Sequence, residues 1–492
     1  MWNAFFQRGD YQAIKPEILL TIFGLAILLF DFLLEKRDKY LNAVLALLGL
    51  AFAGVQLAMF WPVLVGQAPY RGFSESFTLD TFSILLKLII VMATALVVLL
   101  SIRYLEIEES NFGEYYALLL LSAVGMMFMA SGTDLIVLFL ALEVMALCEY
   151  VLTGFLRGSR RSNEAAVKFF LLGAFSSGLL LYGMSLLYGI GASTNLGIIA
   201  QRLAERPQPD LLSWVALIAL LAGLYFKVAA VPFHQWTPDA YEGAPTSITA
   251  FISVAPKVAS FALFLRLLLA CLWPLRFQWQ VLTIGVAVAT LTLGNLAAIT
   301  QTNIKRFFGY STISHVGYLL LGVVATADGN PNGLAAVVIY LLVYAFMNLG
   351  AFAVIIMMRR KNLLGEEIDD LSGLMSRAPG PAILMLIFLL SLAGIPPTAG
   401  FIGKYFIFLS LIETNHYVLA VLAVAFAVVA LYYYLRIVVA MFMKGASEDV
   451  PLATSPSLSV ALGVSLVLTL LIGIYPEPFI DLALKAIRPL FS

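Results

Sequence analysis

Lys227 lies within the apolar run from Leu211 to Val231, and Glu143, Lys168, Lys257 and Lys404 lie inside other long apolar stretches. An ionisable side chain near the centre of a bilayer costs roughly 2.5 to 3.5 kcal/mol on insertion scales, and such residues face a bundle interior and mark ion or proton pathways. A single buried charge fits an accident of packing, whereas a set spread over separate helices reads as a relay. Lysine and glutamate are suited to passing a proton. An opposite charge lowers the pKa of a carboxylate and raises that of an amine, while desolvation pushes both the other way, so making or breaking a pair moves the proton affinity of each.

Glu143, in Leu138-Phe-Leu-Ala-Leu-Glu143-Val-Met-Ala-Leu-Cys148-Glu149, needs a partner or a proton, and Lys227 is the natural partner. Read otherwise, the two form a static ion pair that fixes two helices. Lys168 follows a basic loop by one or two turns and either snorkels to the interface or modulates the Glu143 and Lys227 pair. Lys257, in Ser253-Val-Ala-Pro-Lys257-Val-Ala-Ser260, lies deeper, with small polar neighbours. His234 and His315, near helix ends, are either satisfied hydrogen-bonding residues or proton acceptors beside the lysines. Lys404 is the terminal or exit site. Glu149 reads as an entry-side carboxylate, Lys87 and Asp31 as anchors near span ends, and His416 as an ordinary residue.

Long helices must position these groups. The chain of 492 residues is 62% hydrophobic and 12% charged, with a mean hydropathy of +0.96, whereas soluble domains carry about 25% charged residues. It reads as an all-α integral membrane protein. Net charge is zero and no basic tail is present, which gives no support to nucleic-acid binding. A span needs about 20 apolar residues, and about fourteen candidates follow one another, the first a retained span over 16–34 with no targeting peptide before it. Lys and Arg concentrate in the loops after spans 1, 5, 9 and 11 (Lys36/Arg37/Lys39, Arg157/Arg160/Arg161, Lys305/Arg306, Arg359/Arg360/Lys361/Arg377), which places those loops in the cytoplasm and both termini on the outer side.

Spans 7 and 12 are broken. Pro232 follows Lys227 closely, and Gly394, Pro396, Pro397 and Gly400 precede Lys404. Proline removes a backbone donor and clashes with the preceding turn, so both helices should be discontinuous. Paired breaks in corresponding positions are the sequence pointer to inverted repeats with an ion site at midplane. The expected division is residues 1–110 for spans 1 to 3, 111–275 for a first five-helix repeat, 276–445 for a second inverted one, and 446–492 for span 14 and the tail. Cys148 and Cys271 read as small core residues, and the scattered cysteines and histidines offer no iron-sulfur or haem ligand set. No dinucleotide or phosphate-loop fingerprint is present. A pump driven from elsewhere fits better than an enzyme with its own redox centre.

Three runs carry a family resemblance: Phe226-Lys227-Val-Ala-Ala-Val-Pro-Phe-His234-Gln-Trp-Thr-Pro238-Asp-Ala-Tyr241-Glu-Gly-Ala-Pro245, Gln301-Thr-Asn-Ile-Lys305-Arg-Phe-Phe-Gly-Tyr310-Ser-Thr-Ile-Ser-His315-Val-Gly-Tyr318, and Ser391-Leu-Ala-Gly-Ile-Pro396-Pro-Thr-Ala-Gly-Phe-Ile-Gly-Lys404. Together they resemble the antiporter-like membrane subunits of respiratory complex I, the proton-pumping NADH:quinone oxidoreductase, over nearly the whole chain. The chain is most similar to the N-subunit branch. It stops soon after span 14, unlike the L branch with its long lateral helix, and it has Lys404 where the M branch typically has glutamate.

The resemblance implies a proton-translocating translocase subunit of a bacterial cytoplasmic membrane, working among other membrane subunits and next to further antiporter-like ones. NADH, FMN, iron-sulfur clusters and quinone would then sit in partner subunits, with no cofactor in this chain. It also implies that Glu143 pairs with Lys227, that Lys168 modulates the pair, that Lys257, His315 and Lys404 continue a hydrated axis, and that His234 sits on the broken seventh helix. Glu149 and Lys87 match no residue expected of the family. The alternatives are a subunit of a multi-subunit sodium/proton antiporter or membrane-bound hydrogenase, and a scaffold that translocates nothing.

Overall fold

The computed structural model describes residues 8–206, 208–359, 366–445 and 454–491. The helices run in order α1 (Arg8–Ala13), α2 (Lys15–Asp31), α3 (Tyr40–Leu64), α4 (Thr81–Ile107), α5 (Gly113–Ser131), α6 (Leu135–Thr153), α7 (Arg160–Gly191), α8 (Leu196–Ala204), α9 (Leu211–Val228), α10 (Trp236–Gly243), α11 (Thr246–Ala270), α12 (Arg276–Ile299), α13 (Ile304–Thr326), α14 (Pro331–Met358), α15 (Leu374–Arg377), α16 (Pro379–Ala393), α17 (Ala399–Glu413), α18 (Tyr417–Met443), α19 (Pro456–Ile474) and α20 (Glu477–Ile487). In hydrocarbon every backbone donor and acceptor must be satisfied within its own segment, which is why an apolar chain of this kind folds as helices. Among the described residues twelve helices are long and apolar enough to cross a membrane, and α16 is a shorter apolar one. These, with α2 and with α16 and α17 taken as one broken span, account for the fourteen expected segments. The chain is a multi-pass membrane protein.

Polar residues mark where helices begin. Asp80, Asp134, Asn195, Asp210, Asn303 and Asn330 each accept hydrogen bonds from free amides of the first turn. At the centre of the bundle lie α11, α13 and α14, buried almost throughout, while α3, α18 and α19 bury only a third of their apolar windows. These outer helices leave apolar residues such as Phe52, Val55, Val418 and Val428 uncovered on the outside of the bundle.

Three features were not anticipated. A short antiparallel hairpin, β1 (Tyr70–Gly72) and β2 (Phe77–Leu79), precedes α4. α8 lies between α7 and α9. Beyond α19 the chain continues into α20, where the carbonyls of Lys485 and Ala486 accept from the Thr81 hydroxyl at 3.2 and 3.1 Å.

Lys87 departs from its expected anchoring role. It sits two turns into α4, is fully buried, and holds the equally buried Glu17 of α2 at 2.6 Å. The counter-charge lies seventy positions earlier in the chain, so nothing near Lys87 in sequence announces it. A second buried pair, Arg266 with Asp80, is doubled at 2.7 and 3.2 Å and joins α11 to the start of α4. Asp31 does tie down the end of α2, bonded by Lys39 at 2.8 Å and Asn42 at 2.6 Å. Several of the cations expected in the basic loops are engaged too. Lys305 and Arg359 share Glu366 at 3.0 and 2.8 Å, and Arg306 holds Asp239 at 2.7 Å. Arg360 and Lys361 lie outside the described residues.

Candidate functional site

The seventh span breaks where Pro232 requires it. α9 stops at Val228, Ala229 takes a left-handed conformation, and the chain resumes as α10 at Trp236. The end of α9 leaves carbonyls without helical partners and carries a negative partial charge, so cations collect there. Lys227 occupies the last turn of α9, and Lys257 reaches across from α11 to donate to the Val228 carbonyl at 3.0 Å. Trp236 donates its ring N–H to the Phe226 carbonyl at 3.0 Å.

Aromatic faces complete the pocket around these cations. The Lys227 ammonium lies 6.0 Å from the Tyr150 ring and 5.9 Å from that of Phe226, and the Lys257 ammonium lies 4.8 Å from Trp236. Trp236 in turn stacks on Phe169, centroids 4.4 Å apart.

Glu143 does not touch Lys227. It is half-buried on α6, beside the exposed stripe Ile136, Leu140, Val144, Leu147 and Val151, and acts on Lys227 only across the intervening space. Glu149, nearly two turns further along α6, is 4% exposed and acts on both Lys227 and Lys257. The expected contact pair is thus a longer-range arrangement of two carboxylates and two lysines. Its physical origin is that Glu143 leaves α6 at the edge of the bundle, whereas Lys227 directs its ammonium over buried rings.

The twelfth span repeats the device. α16 ends at Ala393, Gly394 turns the chain at φ +89°, and α17 starts at Ala399. Lys404, one turn into α17, reaches back to the carbonyls of Leu392 and Ala393 at 3.1 and 2.7 Å and lies 5.1 Å from the Tyr318 ring. Gly400 is obligatory, because a Cβ there would stand 1.7 Å from the Ser391 carbonyl oxygen.

Between the breaks runs a line of polar groups, most of it unforeseen. Ser253, one turn from Lys257 on α11, accepts from Asn348 of α14 at 2.7 Å. Asn348, Tyr344 and Tyr340 follow at four-residue spacing along α14. Tyr344 and Thr312 share a hydrogen bond at 2.9 Å, the Tyr344 ring lies 5.1 Å from that of His315, and Tyr340 bonds His315 Nδ1 at 2.7 Å. His315 Nε2 meets Tyr434 at 3.1 Å. Tyr340 stacks near Tyr318, which faces Lys404. Of these three, Asn348 alone stands out as polar in the sequence of α14.

Lys168 and His234 stand apart from this line. Lys168 is half-exposed and bonds Glu164 at 2.9 Å and Asp239 at 3.1 Å, in a cavity of about 250 Å³ shared with Arg161, Glu242 and Arg306. His234 lies in the link after α9, half-buried. His416, read as ordinary, has a local partner in Asp328 at 2.9 Å.

The family described as NADH:quinone oxidoreductase/Mrp antiporter, transmembrane, matches residues 132–430. NADH-quinone oxidoreductase subunit N 1 of Koribacter versatilis is 54% identical over 482 residues, covering 96% of this chain and 94% of that protein. The chain belongs to the N-subunit family of NADH-quinone oxidoreductases. A second N-family relative, subunit N 2 of Solibacter usitatus, is 52% identical over 98% of each chain. Among solved structures, a chain of respiratory complex I from Thermus thermophilus with bound aureothin superposes with a TM-score of 0.79 at 32% identity, over 95% of this chain and 99% of that one. The Mrp complex of a Dietzia species shares the fold, with a TM-score of 0.82 at 24% identity over 97% of this chain and 98% of that one. As an N-family member, this is a proton-translocating membrane subunit of an NADH-quinone oxidoreductase, and the redox cofactors belong to its partner subunits. Among the described residues no group of metal-ligating side chains is assembled.

Proposed function

We propose that protons cross this subunit along the line Glu143, Lys227, Lys257, His315 and Lys404, with Lys168 and His234 modulating or linking it from the side. The observation that carries this reading is the matched placement of Lys257 and Lys404. Each donates to carbonyls freed by a helix break, each lies on an aromatic face, and the polar stripe of α14 stands between them. A buried ammonium held this way has partners enough to exist in the membrane and a proton it can give up.

The same reading divides the chain into residues 1–110, 111–275, 276–445 and 446–492, the two middle segments being inverted repeats that each contribute one break. It places the protein in a bacterial cytoplasmic membrane with both termini outward and with neighbouring antiporter-like subunits as its immediate partners. Electron transfer to quinone elsewhere in the complex alters the field at Glu143, loosens its hold on Lys227, and sends a proton through Lys257 toward Lys404.

Lys227→Ala or Lys404→Ala in membrane vesicles, with assembly checked in the same preparation, is expected to lower coupled NADH:quinone turnover and proton pumping by roughly tenfold or more. Retention of both activities with leucine at every one of these lysines would make the subunit a scaffold. The antiporter and hydrogenase readings are disfavoured by the high identity to N subunits over almost the full length.

A further inference from the structure

Two lysines serve the end of α9: Lys227 lies in its last turn, and Lys257 bonds the carbonyl of the residue that follows Lys227. An ammonium group buried in this way is stabilised by an opposite charge or by loss of a proton. Two carboxylates act on Lys227, those of Glu143 and Glu149, whereas Glu149 is the one that acts on Lys257 as well. Glu143 and Glu149 are six residues apart on α6, about 9 Å along the axis and roughly 240° around it, so they leave the helix on different faces. Glu143 emerges beside the exposed stripe, and Glu149 points into the bundle.

The surroundings of Glu149 supply charge but little hydrogen bonding. Its side chain is 96% buried, its Oε1 has no hydrogen-bond partner, and the nearby Thr153 hydroxyl bonds its backbone carbonyl instead. Its neighbour Tyr150 presents the ring face over which Lys227 sits. A carboxylate without donors in an apolar interior is stable either opposite a cation or with a proton of its own. Which of the two holds depends on the charge of the lysines.

We propose that Glu149 is a second proton-carrying carboxylate that passes a proton from Lys227 to Lys257. Among the described residues no ion pair joins Glu149 directly to either lysine, so each transfer passes through a bridging water: the Lys227 ammonium yields an Nζ proton to the Glu149 carboxylate, leaving a neutral amine and a carboxylic acid. The acid then gives that proton to a neutral Lys257 amine, which restores the carboxylate and forms the Lys257 ammonium. One proton moves and no electrons do. Glu143 stays on the line ahead of Lys227 and also sets the field on Lys227 from the edge of the bundle. The proposal rests on the relay reading given above and adds a carrier to it.

The test compares E149Q, E149D and K227A in the intact complex in membrane vesicles, with assembly, protons pumped per electron and redox-induced infrared difference spectra measured together. Glutamine keeps the shape of the side chain but cannot ionise. E149Q should assemble, lose pumping by roughly tenfold, and lose a carboxyl C=O difference band that E149D retains at a shifted frequency. Normal pumping and an unchanged spectrum in E149Q, with pumping abolished in K227A, would overturn the proposal and leave the relay standing. Normal pumping in both would overturn the relay and the proposal with it. Lost pumping with an unchanged carboxyl band would make Glu149 a structural residue and also overturn the proposal. If E149Q does not assemble, E149D decides: a shifted carboxyl band supports the carrier role, and an unshifted spectrum overturns it.

Discussion

Lysine stands at each of the central positions where arginine would serve as well for charge alone. The difference is that a guanidinium does not surrender its proton in proteins, whereas an ammonium does so readily when buried. Lys404→Arg therefore separates the two functions. The guanidinium can still donate to the Leu392 and Ala393 carbonyls, so the complex is expected to assemble, while pumping falls as far as in Lys404→Ala. Pumping in assembled vesicles of both variants checks this, and an active Lys404→Arg would mean that only the charge matters. Lys87 makes the opposite case. Lys87→Met leaves Glu17 buried without its partner at 2.6 Å, a loss of about 3–5 kcal/mol for a broken buried pair. The measurable result is a lower unfolding temperature and reduced assembly yield, without a specific change in protons pumped per electron. Lys227, Lys257, Lys404 and Glu143 were legible in the sequence because a charge inside an apolar run is visible by itself. Tyr340 and Tyr344 were not, since tyrosine counts toward hydrophobicity and its hydroxyl matters only once a neighbouring helix is known.

At the scale of helices, the two breaks have different fastenings. The first is closed by Trp236 and by Lys257 from another helix. The second is closed within its own span, by Lys404 and by the Gly400 amide donating to the Ser391 hydroxyl at 3.0 Å. Gly400→Val must push α17 off the Ser391 carbonyl, because even a Cβ would overlap that oxygen. Such overpacking typically costs about 1–3 kcal/mol. Gly400→Val should reduce assembly and move the Lys404 ammonium off the end of α16; thermal unfolding of the purified complex and the pumping ratio report the two effects. Proline and glycine made both breaks readable in the sequence. The hairpin before α4, α8 and α20 escaped, because three-residue strands and helices of nine or eleven residues give too few repeats for a period to stand out against apolar neighbours.

For the molecule as a whole, α14 is the element that reaches toward both helix breaks. It gives Asn348 to the side of Lys257 and Tyr340 and Tyr344 to the side of His315 and Lys404. Asn348→Leu keeps the bulk and removes the bond to Ser253, so it should leave assembly intact while lowering protons pumped per electron; vesicle measurements with an unaltered ratio would place the coupling elsewhere. The number of spans and their apolar faces could be read from composition and run length. The crossing of α14 between α11 and α13 could not, because helices that are apolar all round do not declare which neighbour they face. The joint at Lys404 has a mechanical meaning. Two carbonyls of one half-helix are bound by the ammonium of the other, and bonds from an ionised donor are roughly twice as strong as neutral ones. On the relay reading proposed above, loss of a single proton at Lys404 weakens both bonds together, so emptying that site and loosening the joint between the two half-helices are one event.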